Sequence, residues 1–172
     1  MKDFVAEAGT IIGSFTEHET RLLRELASEV IELLDEQLPE DRLLASVGIG
    51  GSDGPSSDPA IARLLPNAYL DDDHASQEFR YLTEHSLVTR KVANAQVLQR
   101  SLDEGGEIAL EADAVQAWLR SLADIRLIIA SRLGIEHDGD EGNADTDDEL
   151  MLGQVYDWLG HVQGSLVDAL DG

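Results

Sequence analysis

Cysteine is absent from this chain of 172 residues. Its absence excludes disulfide bridges, zinc sites built on thiolates and cysteine nucleophiles. The start of the chain also lacks an apolar run long enough for a signal peptide or a membrane span. The sequence therefore predicts a cytoplasmic protein that does not enter a membrane.

Positive charge is scarce as well. Twelve Lys and Arg stand against 35 Asp and Glu, which gives a formal net charge of −23, and only Lys2 and Lys91 are lysines. Beyond Arg132 there is no Lys or Arg at all, while eleven acids follow. Such a charge repels nucleic-acid phosphates and anionic lipid, and it favours cationic partners, divalent ions and solubility. We therefore expect no binding to nucleic acid or membrane.

Signatures of common catalytic sites are missing too. The chain contains no P-loop, no G-x-G-x-x-G unit and neither Glu-x-x-His nor His-Glu-x-x-His. The glycine-rich run at 48–54 lacks the lysine of a phosphate-binding loop. These absences weigh against an enzyme, and the sequence predicts no cofactor.

Apolar residues make up 42% of the chain, which is ample for one hydrophobic core in a single domain spanning 1–172. Four segments carry an apolar stripe at helical spacing, and a capping box at Thr16 to Glu19 opens the first of them. Their approximate ranges are 16–38, 74–102, 113–133 and 148–170. Asp58 and Pro59 open a short fifth helix.

Short strands are predicted at 4–15, as a strand or hairpin, and at 107–110. The sequence thus indicates a mainly α protein, a single helical bundle of four long helices plus one short helix with a small N-terminal β element. Gly, Ser and acidic residues predict mobile loops at about 45–57 and 136–149.

Two cations interrupt the apolar stripes of long helices. Lys91 lies on the apolar stripe of the predicted helix at 74–102, and Arg126 lies on the face of Trp118 in the predicted helix at 113–133. Since an unpaired buried cation is costly, each is expected within salt-bridge distance of a carboxylate. The candidate partners are Asp71, Asp72, Glu78, Glu84 and Asp124. These cations and their carboxylate partners could form a ligand-binding or catalytic pocket inside the bundle. The simpler interpretation is a structural ion network, or long Lys and Arg side chains whose charged ends reach water.

A second cluster could hold a divalent metal. Asp71, Asp72, His74 and Glu78 bring oxygen and imidazole donors to the start of a helix. Acids at a helix start also satisfy free backbone donors, which is the simpler account. The acidic loop further along has acids at positions 1, 3 and 12 of a calcium loop, but Asn143 stands where that loop demands glycine.

Several short motifs, taken together, resemble an uncharacterised actinobacterial family, a domain of unknown function. They span nearly the whole chain: Asp58-Pro59, Arg63-Leu64, Pro66, Ala68-Tyr69, Asp71-Asp72, Glu78-Phe79-Arg80, Lys91, Trp118-Leu119, Arg126-Leu127, Arg132-Leu133-Gly134 and Trp158-Leu159. Ala123 and Ala130 stand where the family pattern has an asparagine and a glycine. The resemblance implies an actinobacterial cytoplasmic protein, often encoded beside the Clp protease adaptor, and it supplies no activity and no catalytic residue.

The sequence favours a non-enzymatic protein-interaction or regulatory module linked to Clp proteolysis. The alternatives are a divalent-metal protein or metal-dependent enzyme that uses the cluster at 71–78, and an acidic DNA mimic. The predicted polar-core or interaction cluster comprises Arg63, Tyr69, Asp71, Asp72, Glu78, Arg80, Lys91, Asp124, Arg126 and Arg132.

A monomer or weak homodimer is expected, because −23 per chain opposes close packing of identical surfaces. Tyr69 and Trp158 are the aromatic residues predicted at any apolar patch that joins two copies. Sedimentation at low and high salt tests this expectation, and tight dimerisation at low ionic strength would contradict the repulsion argument.

Overall fold

The computed structural model describes residues 1–37, 58–66, 77–102, 106–137 and 139–172, and of residues 77–82 it describes the backbone alone. These residues form three strands and five helices. The strands are β1 (Lys2–Glu7), β2 (Thr10–Ser14) and β3 (Glu107–Leu110), and the helices are α1 (Glu17–Asp35), α2 (Pro59–Leu64), α3 (Gln77–Ser101), α4 (Ala112–Arg132) and α5 (Asp147–Asp171). The predicted mainly α fold with a small β element is confirmed.

The sheet begins with a tight hairpin. Ala8 and Gly9 both have positive φ, 51° and 91°, which is the geometry of the turn that best suits the twist of paired strands. β2 then pairs antiparallel with both neighbours, so the strand order is β1-β2-β3, and Ile11 lies opposite Leu110 in β3. The strand at 107–110 therefore joins the N-terminal hairpin, and its Ile108 and Leu110 point into the core.

Aromatic rings fill the space between this sheet and the helices. The ring centroids of Phe4 and Phe15 each lie 5.9 Å from that of Trp118, Phe4 edge-on and Phe15 stacked. Phe4 lies against Gly13 of the neighbouring strand, and a Cβ added at Gly13 would come within 2.5 Å of two ring carbons. Glycine at this position thus makes the room that the Phe4 ring occupies.

Gly13→Ala should destabilise the protein by roughly 1–3 kcal/mol, because the packed Phe4 ring cannot move away from the added methyl group. Urea denaturation followed by circular dichroism measures the effect. Phe4→Leu in the same chain should absorb part of it, so the double variant will lose less than the sum of the two single changes. Gly153→Ala is the matched control, since a Cβ there meets nothing within 4 Å; equal losses at both glycines would contradict the packing argument.

Helix α4 is the centre of the bundle. It contacts α1, α2, α3 and α5, and α1 also packs along α3. Because neighbours surround it, α4 is buried over most of its circumference: Trp118 and Leu122 are 0% exposed and Ile129 is 1% exposed. Helix α5 packs against both α4 and β1, so the first strand and the last helix lie side by side.

The helix ends follow their local sequence. The predicted capping box is present at α1, where the Thr16 N–H donates to Glu19 Oε2 at 2.7 Å, and a second one joins Thr146 to Glu149 at the start of α5. Asp58 caps α2 by accepting from the Ala60 N–H. None of the helices in the described ranges is long and apolar enough to span a bilayer.

Candidate functional site

The best-defined polar contact in the interior joins α3 to α4. Lys91 Nζ donates to Asp124 Oδ1 at 2.5 Å, with the side chains 17% and 6% exposed respectively. Asp124 is almost fully buried and Lys91 only partly exposed, so water has little access to this pair. Asp124 is therefore the carboxylate partner that the interrupted stripe requires for Lys91.

Burial raises the pKa of Asp124, while the hydrogen bond and the charge of Lys91 lower it; the net direction is upward from the ordinary value of 3.8. The ion pair thus offsets only part of the cost of removing the carboxylate from water. One turn earlier on α4, the Ser121 hydroxyl is buried and has no hydrogen-bond partner among the described residues.

Arg126 lies at a different interface, between α4 and α5. Its Nη1 donates to Gln163 Oε1 at 3.1 Å, and its guanidinium carbon lies 4.5 Å from the centroid of the Tyr156 ring. Gly160, between them on α5, faces the guanidinium, and a Cβ there would make an ordinary van der Waals contact with Nη2 at 3.5 Å. The buried Nε of Arg126 has no partner in the described part of the chain.

The carboxylate expected beside Arg126 is not found among the described residues. One face of α5 is lined by Tyr156, Gly160 and Gln163, which follow one another at spacings of four and three. This face presents to Arg126 an aromatic ring, a glycine without a side chain, and an amide. Asp157, which follows Tyr156 on α5, is exposed to solvent. Among the described residues, the guanidinium thus contacts an aromatic ring and an amide. The candidates Asp71, Asp72 and Glu78 lie where the structure describes no side chains, so the predicted salt bridge stays a prediction.

The two cations do not share one pocket. Asp124 and Arg126 are two residues apart on α4, which places them about 200° apart around the helix axis. One contacts α3 and the other contacts α5. What the sequence suggested as a single polar cluster is, within the described residues, two separate contacts that each tie a neighbouring helix to α4.

Two further predicted residues also join structural elements. Arg63 Nη1, on α2, donates to the carbonyl of Ile135 at 2.8 Å, just beyond the end of α4. Arg132 forms a salt bridge with Glu29 of α1, and both side chains are substantially exposed. Neither arginine lies beside Lys91 or Arg126 in these contacts.

The acidic loop before α5 is tied to the end of α4. Gly134 has a φ of +69°, and the Ile135 N–H donates to the carbonyl of Ala130, which is the hydrogen-bond pattern of a glycine-terminated helix. The Asn143 N–H donates to the carbonyl of Leu133 at 2.7 Å. Asp140 accepts from two backbone N–H groups, at Glu136 and His137, and these bonds lower the pKa of Asp140. That carboxylate is thus engaged by its own loop, and no group of three potential metal ligands occurs in the described ranges.

Gly142→Ala should destabilise the protein by about 1–3 kcal/mol. The residue has a φ of +72°, and an added Cβ would lie 2.9 Å from Ile135 Cγ1 and 3.0 Å from the Leu133 carbonyl oxygen. Gly139→Ala is the control, because its φ of +89° carries similar strain while its Cβ would meet nothing within 4 Å. The difference between the two thermal melts measures the contact with the end of α4; a zero difference would show that the loop does not press on it.

Four predicted site residues, Tyr69, Asp71, Asp72 and His74, lie outside the described residues. Glu78 and Arg80 lie in α3, where only the backbone is described. The metal hypothesis at 71–78 therefore remains a prediction.

Sequence reasoning missed Tyr156, Gln163 and the capping box at Thr146. The last had a visible signal, Thr-x-x-Glu ahead of an apolar stripe. The first two become identifiable only once α5 is known to face Arg126.

The fold and these contacts define a mainly helical domain whose described interior polar groups mostly connect one element to another. The chain belongs to the family described as a domain of unknown function, DUF2017, whose family model matches residues 1–170. It is similar to the "Oxidative stress regulator AosR" of Mycobacterium tuberculosis, with 34% identity over a 178-residue alignment that covers 92% of this chain and 81% of the relative. The protein of the same name from Mycobacterium bovis matches with the same identity and coverage. The resemblance to an actinobacterial family of unknown function is thus confirmed, and no solved structure matches the chain.

Proposed function

We propose that this chain is a cytoplasmic regulatory protein of the oxidative stress response that acts by binding another protein. The observation that carries the proposal is its similarity to proteins named oxidative stress regulators over 92% of its length. The net charge of −23 supports action through a protein rather than through direct contact with DNA.

The polar groups of the bundle support a binding role over a catalytic one. Lys91 and Asp124 neutralise each other between two helices, and Arg126 lies against an amide and an aromatic ring. No nucleophile with an adjacent base is present among these groups. The described polar groups of the interior hold the helices together. Such a bundle is suited to presenting a fixed surface to a partner.

The absence of cysteine constrains how such a regulator works. Thiolates are the side chains that proteins most often use to register oxidants, and this chain has none. We infer that oxidation is registered elsewhere, in the partner or upstream of it. We also propose a link to Clp proteolysis: the bound partner is a protein that is degraded at a different rate under stress.

Deletion of the gene in the organism that encodes it tests the proposal. We expect lower survival in hydrogen peroxide and an altered transcriptional response, both restored by the wild-type gene. Heat and osmotic shock serve as control stresses that should leave the deletion strain unaffected. A deletion strain that matches its parent in peroxide survival and in transcripts would rule the proposed function out.

A further inference from the structure

Burial along α5 is uneven. All four of its buried residues, Leu159, Val162, Ser165 and Leu166, lie in its second half. That half is covered by β1, where the Phe4 N–H donates to Ser165 Oγ at 2.7 Å and Asp3 pairs with His161 at 3.0 Å.

The first half of α5, residues 147–158, contains six large apolar or aromatic side chains, and none of them is fully buried. Four of them, Leu152, Val155, Tyr156 and Trp158, are partly buried against the core. Leu150 is 49% exposed and Met151 is 62% exposed. Val155 and Trp158 continue from Met151 along the helix at spacings of four and three, and both are only partly buried. An apolar strip therefore starts at an exposed end and runs toward the core, which is typical of a surface that receives another element.

Negative charge surrounds this strip. Residues 133–172 hold eleven acids and no Lys or Arg, which is a net charge of −11 for forty residues. Asp145, Asp147 and Asp148 are exposed immediately before Leu150, and Asp157 is exposed two turns later. Apolar anchors inside a charged rim are the usual anatomy of a protein interface, and the sign of the rim selects the partner.

We propose that the first three turns of α5 form a docking surface for a basic amphipathic segment of a protein partner, whose apolar side chains contact Leu150 and Met151 and whose Lys or Arg residues face the surrounding aspartates. The proposal rests on the proposed regulatory function and names the chemistry of its partner. A second copy of this chain fits poorly, because −11 would face −11. Nucleic acid is repelled by the same charge.

A synthetic amphipathic helix of Lys and Leu, about 15 residues long, serves as the probe, and fluorescence anisotropy measures its affinity for the full chain. The double variant Leu150→Gln, Met151→Gln should weaken binding roughly tenfold or more. Its matched control is Val167→Gln, Leu170→Gln at the other end of α5, where the side chains are 41% and 48% exposed. The control should bind like wild type. Circular dichroism verifies that each variant keeps its helices.

Charge is tested separately. Asp147→Asn with Asp148→Asn should weaken binding and flatten its dependence on salt, whereas Glu25→Gln with Glu32→Gln, an equal change of charge on exposed positions of α1, should do neither. The proposal fails if a Lys and Gly peptide without apolar residues binds as tightly as the probe. It also fails if the α5 variants bind like their controls, or if sedimentation shows that the Leu150, Met151 change abolishes a dimer.

The outcome can be separated from that of the proposed function. Once the deletion phenotype exists, the Leu150, Met151 variant should fail to restore peroxide survival while the Val167, Leu170 variant succeeds. If both restore survival, this surface is wrong and the stress role stands. If deletion has no phenotype, the proposed function fails, whatever the peptide measurements show.

Discussion

Lys91→Ala will destabilise the protein by about 3–5 kcal/mol at neutral pH, because it leaves the carboxylate of Asp124 buried and unpaired. Chemical denaturation by urea measures the loss. The control is Arg132→Ala, which removes a cation from the partly exposed pair with Glu29 and should cost at most about 1 kcal/mol. If the two losses are equal, burial is not what gives the Lys91 contact its importance.

The loss at Lys91 should also depend on pH. In the wild type, burial raises the pKa of Asp124 in the folded protein above 3.8. Protonation of Asp124 therefore stabilises the folded state fully below pH 3.8, and this stabilisation is lost as the pH rises through the raised pKa. Removing Lys91 removes the two interactions that lower this pKa and leaves only burial, which raises it further. The gap in unfolding free energy between variant and wild type should therefore widen as pH rises above the ordinary aspartate value of 3.8.

A paired substitution separates loss of the ion pair from loss of packing. Lys91→Met alone fills similar space but still strands Asp124, whereas Lys91→Met with Asp124→Leu removes both charges. The double variant should recover most of the stability that the single change loses. A double variant that is less stable than Lys91→Met would mean that the carboxylate has another essential partner.

Trp118→Ala will cost about 3–5 kcal/mol, since the indole is fully buried against Phe4 and Phe15. Trp118→Phe should cost less than half as much. The indole Nε1 has no hydrogen-bond partner among the described residues, so replacing the indole by phenylalanine breaks no hydrogen bond. Trp158→Ala, at a half-buried position, is the control and should be milder. Urea melts of the three variants decide the order; equal losses for Phe and Ala at 118 would show that the indole N–H is satisfied after all.

Much of the fold could be predicted from local chemistry. Thr16 with Glu19, Asp58 with Pro59, and Gly134 each mark a helix boundary that the structure places within a residue or so. Each of these signals depends on residues within about one helical turn, so it can be recognised from the local sequence alone. The strand at 107–110 was also predictable, and the structure pairs it with the N-terminal hairpin.

The site could be predicted only in part. The stripe through Lys91 predicts a buried carboxylate partner, and Asp124 was among the candidates. The surroundings of Arg126 could not be predicted, because they depend on how α5 is rotated against α4, and rotation is set by packing across the whole interface. For the same reason, the apolar stripe predicted at 148–170 does not reveal that the buried residues of α5 all lie in its second half, where β1 covers them.

The contact between Phe4 and Ser165 bears on how the chain folds. These residues are 161 positions apart, and the strand and helix they join cannot meet until α5 has left the ribosome. Contacts of such long range slow folding, because a large loop must close before they form. During synthesis, β1 and the Phe4 ring therefore stay uncovered until α5 is available. In this interval the nascent chain is most prone to aggregation and to chaperone binding. Hydrogen exchange pulsed during refolding should show amides of α1, α3 and α4 protected before the Phe4 amide.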